Sequence, residues 1–574
     1  MSPVHTGHAA SKLAAGAAVD IALLLEGRHP FANAGASGGV PGWAERMIRA
    51  FPQTTFAIVL LGNRREDCGE MAGALPDNVL HLETHFLHDD EPADTMPRHR
   101  ADEQAFVEAA RLHDLLRQRG RGGQSQAGAL MRELMRELMD ELGDDGRLSE
   151  HAFLHSRPAW DTIVEQYRRY CTDPSFSDYF WTVRTMHRPL WRLARIAATL
   201  MPARVYHAAS TGYAGFLGAM LRYRHDRPLL LSQHAAPTRE HSLDLFQSCR
   251  QRDNGHRDGA DAFAREVSQP GYCRDLWLRF FESLGRVCYE AADEIVALYE
   301  GNRRRQVQDG APASRTRTIP NGIDLPALAP LRAQRPDTVP QVLCLVGKVV
   351  PRKDVKTFIR AMLTVVRQCP DAQGWIAGPE DEDPEYAREC RGLVQSLGLA
   401  GNVRFLGPRR LDALLPQVGV LVQSSISEAL PLAVLEAFAA GVPCVVTDVG
   451  ACRELIDGVG DEDMALGTAG AVVRIADPGA LAREAVALLG DQERWRAAQR
   501  AAIVRAERYY TQHATVASYR QLYQHLAAKP HADAGGRGGL GRPAVPTTLA
   551  TPATAAKPAR ERLSAGRCPF AGAP

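Results

Sequence analysis

No apolar run in this 574-residue chain approaches the ~18–20 residues that a helix needs to cross a bilayer, so a helical membrane anchor is excluded. A cytoplasmic protein is the expectation. Paired cysteine spacing is also missing. Eleven cysteines are scattered without a CxxC or matched-ligand pattern, which speaks against a disulfide frame or a zinc site and for reduced thiols that pack as small hydrophobes. Cys568 is not at a CaaX position, so no lipid anchor is read there. An excess of charge is absent too: 68 Lys and Arg stand against 67 Asp and Glu, a net charge of +1. No global field recruits nucleic acid, and any anion site must be local. Residues 1–18 carry Lys12 as their one Lys or Arg, and the apolar run that follows, Asp20-Ile-Ala-Leu-Leu-Leu25, is short and begins with an acid. It reads as a first β-strand, not as a signal peptide.

What is present is the composition of a soluble globular protein, 45% hydrophobic and 24% charged, in a chain long enough for several units. Short apolar runs alternate with helical patterns, which predicts α/β architecture with parallel sheets. In the first half the predicted strands are Ile21–Leu25, Phe56–Leu61, Val79–Leu82, Val205–His207 and Leu229–Ser232. In the second they are Val342–Val346, Gly374–Ala377, Val403–Leu406, Gly419–Gln423 and Cys444–Thr447. Pro320-Asn321-Gly322 is a turn signal between the halves. The expected plan is a disordered tail over 1–18, one Rossmann-like domain over 19–324, a second over 325–528 and a disordered tail over 529–574, which is too poor in apolar residues to fold alone. A helical insertion at about 88–200 interrupts the first domain; in it Leu130, Leu134, Leu138 and Leu142 recur every four residues and read as a packing stripe.

Chemistry concentrates in three places. Glu428 and Glu436 stand eight positions apart in an apolar run ending in Gly441-Val-Pro443. Buried carboxylates need hydrogen-bond donors, and sugar hydroxyls supply them in pairs; a surface helix with its acids in water is the plain alternative. Lys348, Arg352, Lys353 and Lys356 crowd the turn after the strand Val342–Val346, where a diphosphate would meet ammonium groups; an ordinary solvated basic loop remains open. On the N-terminal side, Gly35, Gly38 and Gly39 precede a helix opened by Pro41, a place where backbone can approach a phosphate or simply turn. His234 and His207 end predicted strands and face the presumed cleft, or are satisfied structural histidines.

These segments resemble known glycosyltransferases. Glu428 to Gly450 and the Gly-x-Val-Val-Pro-x-Lys-Asp element at 347–354 are similar to the donor-site signature and diphosphate loop of glycosyltransferase family 4. Leu24–Gly27, His207–Gly215, Phe280–Gly285, Tyr299–Arg305 and Ile319–Asp324 resemble the PelF-type enzymes of Pel exopolysaccharide synthesis. The resemblance runs from about Asp20 to Leu526, with parts of the insertion excepted. It implies a GT-B fold, two Rossmann-like domains facing across a cleft, with the acceptor side N-terminal and the nucleotide-sugar donor side C-terminal. It further implies retaining transfer of a hexose from a UDP-sugar, UDP-glucose or a relative, to a growing exopolysaccharide, with no metal and no other cofactor. Partners would be the UDP-sugar, the polysaccharide acceptor and inner-membrane proteins of the Pel export system, through which the protein would lie peripherally at the membrane.

By the same resemblance Glu436 would take the ribose hydroxyls, and Glu428 with the amides of Ala429, Leu430 and Leu432 would hold the donor sugar. Lys348 and Lys353 would neutralise the diphosphate, Gly38 and Gly39 would admit it to the N-terminal loop, and His234 would lie beside sugar or acceptor. The chain departs from the pattern at Lys348, where an arginine is usual, at Ala429, and at Gln233 and Ala235 around the histidine. Those departures keep two other readings open: a catalytically degenerate, nucleotide-binding scaffold of the same export complex, and an enzyme acting on a small acceptor.

Overall fold

The apolar runs become strands because they are buried on both faces. In Val19–Glu26, Ala22 and Leu24 enter one core while Ile21, Leu23 and Leu25 enter another; this is the period-two alternation of a sheet covered on both sides. A computed structural model describes residues 9–12, 18–31, 39–63, 65, 75–88, 102–107, 135, 139, 142, 147–170, 175–234 and 270–529.

Eight strands form the first sheet: β1 (Ala9–Ser11), β2 (Val19–Glu26), β3 (Phe56–Gly62), β4 (Val79–Phe86), β5 (Ala203–Ala208), β6 (Leu229–Gln233), β7 (Glu294–Ala297) and β8 (Thr316–Thr318). Their order is β1-β4-β3-β2-β5-β6-β7-β8, and every pairing is parallel except β1 with β4. The second sheet holds β9 (Val342–Val346), β10 (Gln373–Ala377), β11 (Val403–Phe405), β12 (Val420–Gln423), β13 (Cys444–Thr447) and β14 (Gly470–Val473). It is wholly parallel in the order β11-β10-β9-β12-β13-β14. Both sheets therefore share the doubly wound order, with a switch point between β2 and β5 in one and between β9 and β12 in the other. Ligands bind outside the carboxyl ends of strands at such points.

Two features differ from the sequence expectation. Residues 9–11, expected in a tail, add the antiparallel edge strand β1. The strands β7, β8 and β14 were not anticipated; they are three or four residues long. In the insertion Met135, Met139 and Leu142 are buried, whereas Leu130, Leu134 and Leu138 of the expected leucine stripe lie outside the described residues.

The last helix, Gln512–Ala527, leaves the second sheet and packs on the first, where Tyr519, Leu522, Tyr523 and Leu526 join the core with Ile21, Leu23 and Leu25. The spacing is a helical i, i+3, i+4, i+7 stripe. Its approach runs beside the earlier crossing. Ile323 donates its N–H to Tyr510 O (2.9 Å) and accepts from Gln512 N (2.9 Å), and the Thr515 hydroxyl donates to Pro320 O (2.9 Å). Gly322 permits this, because a Cβ there would overlap the backbone of Thr511 and Gln512.

Candidate functional site

The carboxyl ends of β9 and β12 flank the switch point of the second sheet, and the basic loop and the acidic segment leave from them. Their side chains are locked together. Glu428 accepts from Gln423 Nε2 (2.9 Å) and Ser425 Oγ (2.9 Å) and pairs with the Lys353 ammonium. Ser424 Oγ bonds the carbonyls of Lys353 and Asp354 (3.0 Å each), and Ile426 N–H bonds Arg352 O (2.9 Å), so the two loops move as one. Thr447 at the end of β13 donates to Ser425 O (2.5 Å). Lys353 itself follows a tight turn: Gly347 has φ of 152°, and a Cβ there would stand 3.2 Å from Lys353 Cε.

Lys348 goes elsewhere. Its ammonium pairs with Glu382, both side chains about two-fifths exposed. The two lysines expected to share one anion site thus have different partners, Lys353 on Glu428 and Lys348 in an exposed, screened pair of the kind that separates at little cost.

Ala429 avoids the left-handed region, so its Cβ carries no backbone strain. Among the described residues the amides of Ala429 and Leu430 meet no acceptor, and they lie just before the helix Leu432–Ala439, where its unpaired N–H groups also point. Leu430 is buried and Leu432 partly so. Gly450, with φ of 52°, runs beneath this segment; a Cβ there would overlap the carbonyl oxygen of Glu428 and crowd that of Ala429. Replacing Gly450 with alanine is expected to displace Glu428 and to weaken nucleotide-sugar affinity at least tenfold in calorimetry, with the fold retained in circular dichroism.

Glu436 is different from Glu428. It lies half-buried on the helix Leu432–Ala439 with no hydrogen-bond partner among the described residues, and burial pushes its carboxyl above the ordinary range. The one charge opposing that shift is Arg46, from the N-terminal helix Gly39–Ala50. Arg46 is itself buried enough to lower its pKa, and its charge reaches both Glu436 and His234. Sequence reading passed over Arg46, since one arginine beside Trp43, Ala44, Met47 and Ile48 looks like the edge of an amphipathic face. A half-buried cation near a half-buried carboxylate that lacks a donor among the described residues is an arrangement common at binding sites.

On the N-terminal side Gly39 opens the helix with φ of 69°, while Gly38, Ala235 and Gly35 lie outside the described residues. His234 is buried; its ring stacks on Trp43 with centroids 3.8 Å apart, and Nε2 lies 2.9 Å from Ser232 Oγ. Burial drives its pKa well below the usual imidazole value, so it is neutral. Gln233 Oε1 accepts from Gln306 Nε2 (2.9 Å). Glu26 proves structural: it accepts from Ser210 Oγ (2.7 Å) and Ala214 N (2.5 Å) at the start of the helix Tyr213–His225. Glu454 reaches from the second sheet's side to the helix Glu300–Gln308 and accepts from its first amides, Glu300 N (2.9 Å) and Gly301 N (2.6 Å). That contact ties the two halves, at a helix N-terminus where a carboxylate is favoured.

Comparisons with known proteins bear on this geometry. Residues 19–314 match the family described as Domain of unknown function (DUF3492), and residues 340–491 match the one described as Glycosyl transferases group 1. An exopolysaccharide phosphotransferase of Streptomyces coelicolor is 32% identical over 162 residues, 28% of this chain and 16% of that protein. A phosphatidyl-myo-inositol mannosyltransferase of Mycobacterium leprae is 30% identical over 219 residues, 38% of this chain and 55% of that protein. The chain thus spans about a sixth and about half of the length of these curated relatives. Among solved structures, Anabaena HepE in complex with UDP superposes with a TM-score of 0.51 at 14% identity, covering 88% of this chain and 100% of that one. A sucrose-phosphate synthase of Thermosynechococcus elongatus gives a TM-score of 0.51 at 16% identity, covering 88% and 99%. These likenesses show the fold: the two parallel-sheet domains have the GT-B arrangement.

Proposed function

Because the chain belongs to the family described as Domain of unknown function (DUF3492), whose model spans just over half of it, and joins to that half a glycosyl transferases group 1 domain, we propose that it is a retaining glycosyltransferase. It moves a hexose from a UDP-sugar, UDP-glucose or a relative, to a growing exopolysaccharide of the Pel type. The observation that carries this reading is a Glu428–Lys353 couple, in which three donors meet Glu428 Oε1, beside a half-buried Glu436 with no hydrogen-bond partner among the described residues, at one switch point. The first is preorganised for charge and hydroxyls; the second lacks only donors, which the ribose diol supplies.

Breaking the sugar–phosphate bond leaves positive charge on the sugar and negative charge on UDP. Lys353 faces the leaving diphosphate, Lys348 joins it on parting from Glu382, and Arg46 adds a cation from the N-terminal side. Fixed cations of this kind lower the barrier because they need no reorganisation as charge develops. Among the described residues no side chain stands out as a nucleophile, which fits transfer on the face from which UDP departs, with the lysines standing at the diphosphate in place of a metal. An exopolysaccharide in the Streptomyces relative's name and the sequence likeness to PelF-type enzymes support the acceptor class. Membrane proteins of the same export system are the partners this reading asks for, since no helix among the described residues is long and apolar enough to cross a membrane.

The test is UDP-sugar turnover by the full chain, with Glu436→Ala as the probe. Wild-type protein is expected to turn over one UDP-sugar in the presence of EDTA, and the variant to bind UDP at least tenfold more weakly. Affinity of the wild type should fall as the pH drops through the raised carboxyl of Glu436, starting at a higher pH than an ordinary carboxylate would give, because the protonated acid no longer accepts from two hydroxyls. An unchanged UDP affinity in Glu436→Ala rejects the residue assignment. Tight UDP binding with no turnover of any UDP-sugar favours the scaffold reading that Gln233 and the Lys348–Glu382 pair keep in view.

A further inference from the structure

Beneath the ring of His234 runs a buried polar chain that the proposed transfer does not use. Tyr523 OH lies 2.7 Å from Nδ1 of His207, Nε2 of His207 lies 2.6 Å from Ser232 Oγ, and Ser232 Oγ lies 2.9 Å from Nε2 of His234. All four residues are more than nine-tenths buried. Burial keeps both rings neutral, pushing His207 down to about 3 and His234 well below its ordinary value. A neutral imidazole has one N–H and one lone pair, so a chain of such groups has a direction.

Tyr523 sets that direction. Its phenol has no second hydrogen-bond partner among the described residues, and a buried O–H left unpaired is costly, so it donates to Nδ1 of His207. The proton of His207 then sits on Nε2 and goes to Ser232 Oγ. The buried Tyr519 hydroxyl also comes close to Ser232 and has no other partner among the described residues, so by the same reasoning it donates toward Ser232 Oγ, and the single hydrogen of Ser232 goes to Nε2 of His234. The proton of His234 is left on Nδ1. That nitrogen has no partner, and neither does Oδ1 of Asn321, also more than nine-tenths buried. Asn321 comes close enough to favour the protonated ring, yet the two atoms do not align as a hydrogen bond. A neighbouring unpaired N–H and C=O are together satisfied by a hydroxyl, which accepts from the first and donates to the second.

We propose that Tyr523 is a positioning residue: through His207 and Ser232 it fixes His234 as a hydrogen-bond donor at Nδ1, which with the Asn321 carbonyl holds a sugar hydroxyl. The helix Gln512–Ala527 thereby sets the polarity of a site on the opposite domain from the one it follows in sequence. Trp43 stacks on one face of His234 and leaves the ring only its edge to present. This reading of the hydroxyl rests on the cleft being a sugar site, but the tautomers do not, so the two can fail separately.

Long-range 1H–15N correlation of the full chain labelled with 15N-histidine reads the tautomers directly, with signals assigned by single histidine variants. Wild-type protein is expected to show His207 protonated on Nε2 and His234 on Nδ1. In Tyr523→Phe, which keeps the ring and its packing, His234 is expected to populate the Nε2–H form. Ser232→Ala breaks the chain one link further on and should release His234 in the same way with Tyr523 intact. With whichever UDP-sugar the wild type turns over, Tyr523→Phe should lower kcat/KM about tenfold, the loss of one hydrogen bond, and leave UDP affinity unchanged. A wild-type His234 protonated on Nε2 overturns the proposal, and so does a His234 tautomer indifferent to both substitutions.

Discussion

Lys353→Ala is expected to lower kcat by about 10²–10³ while the protein stays folded, the size found when one preorganised charge-stabilising group is removed from a transition state. Lys353 qualifies because it is held on all sides. Glu428 grips its head, Ser424 ties its carbonyl, and the stem runs over Gly347 at a distance that admits no side chain there. On the proposed function, an ammonium so placed would not have to reorganise as a diphosphate departs. Its loss also leaves Glu428, 15% exposed, with two neutral donors and no counter-charge. Lys353→Arg should recover little, since a planar fork cannot occupy the space of a point charge over Gly347. The contrasting case is Lys348→Ala, whose side chain starts in an exposed pair and should matter less. Initial rates at saturating donor distinguish these. If Lys353→Ala raised KM alone and left kcat intact, the lysine would be a binding group with no share in leaving-group stabilisation.

The largest effect on stability is expected at Arg505, which the sequence gives no reason to notice. Its side chain is fully buried, yet every nitrogen is used. Nε meets Asp463 Oδ1 (2.6 Å), Nη1 donates to Ile456 O (2.8 Å) and Leu455 O (3.2 Å), and Nη2 donates to Asp463 O (2.9 Å) and Gly467 O (3.0 Å). One guanidinium thus closes the ends of the helices Cys452–Asp457 and Asp461–Met464, and Gly458, at φ of 88°, lies against it. Arg505→Met keeps the volume but strands a buried carboxylate and several carbonyls. Removing one partner of such a pair costs about 3–5 kcal/mol. The double change Arg505→Met with Asp463→Leu should restore part of that loss, because the uncompensated charge goes with it. Thermal unfolding followed by circular dichroism checks both. A melting temperature for Arg505→Met within a degree or two of the wild type rejects the account. Glu454, next to Leu455, clasps the helix Glu300–Gln308, so the single variant should also loosen the contact between the halves.

Much of the fold was legible because parallel strands buried on both faces must be nearly continuous apolar runs. Each of the ten predicted strands appears within a few residues of its place, whereas β7, β8 and β14 were missed. Of the expected leucine stripe, Leu142 packs in the core, as do Met135 and Met139 of the same insertion. At the site, Glu428 and Lys353 were identifiable from charges placed where strands end. His234 was identifiable as a strand-end histidine, but its neutrality follows from Trp43 above it and from Ser232 and His207 below.

The sequence by itself determined two doubly wound sheets, their strand sites and the loops at whose carboxyl ends a ligand would sit, because local apolar periodicity and strand-end position are properties of neighbouring residues. Tertiary structure alone decided which partners those loops have. It sent Lys348 to Glu382 and left Lys353 on Glu428; it brought Arg46 to Glu436 and returned the last helix to the first sheet with Tyr523 under His207. Each of these is a meeting of residues far apart along the chain. Charge and hydrogen-bond partners are chosen by distance in space, and no spacing in the sequence encodes that choice.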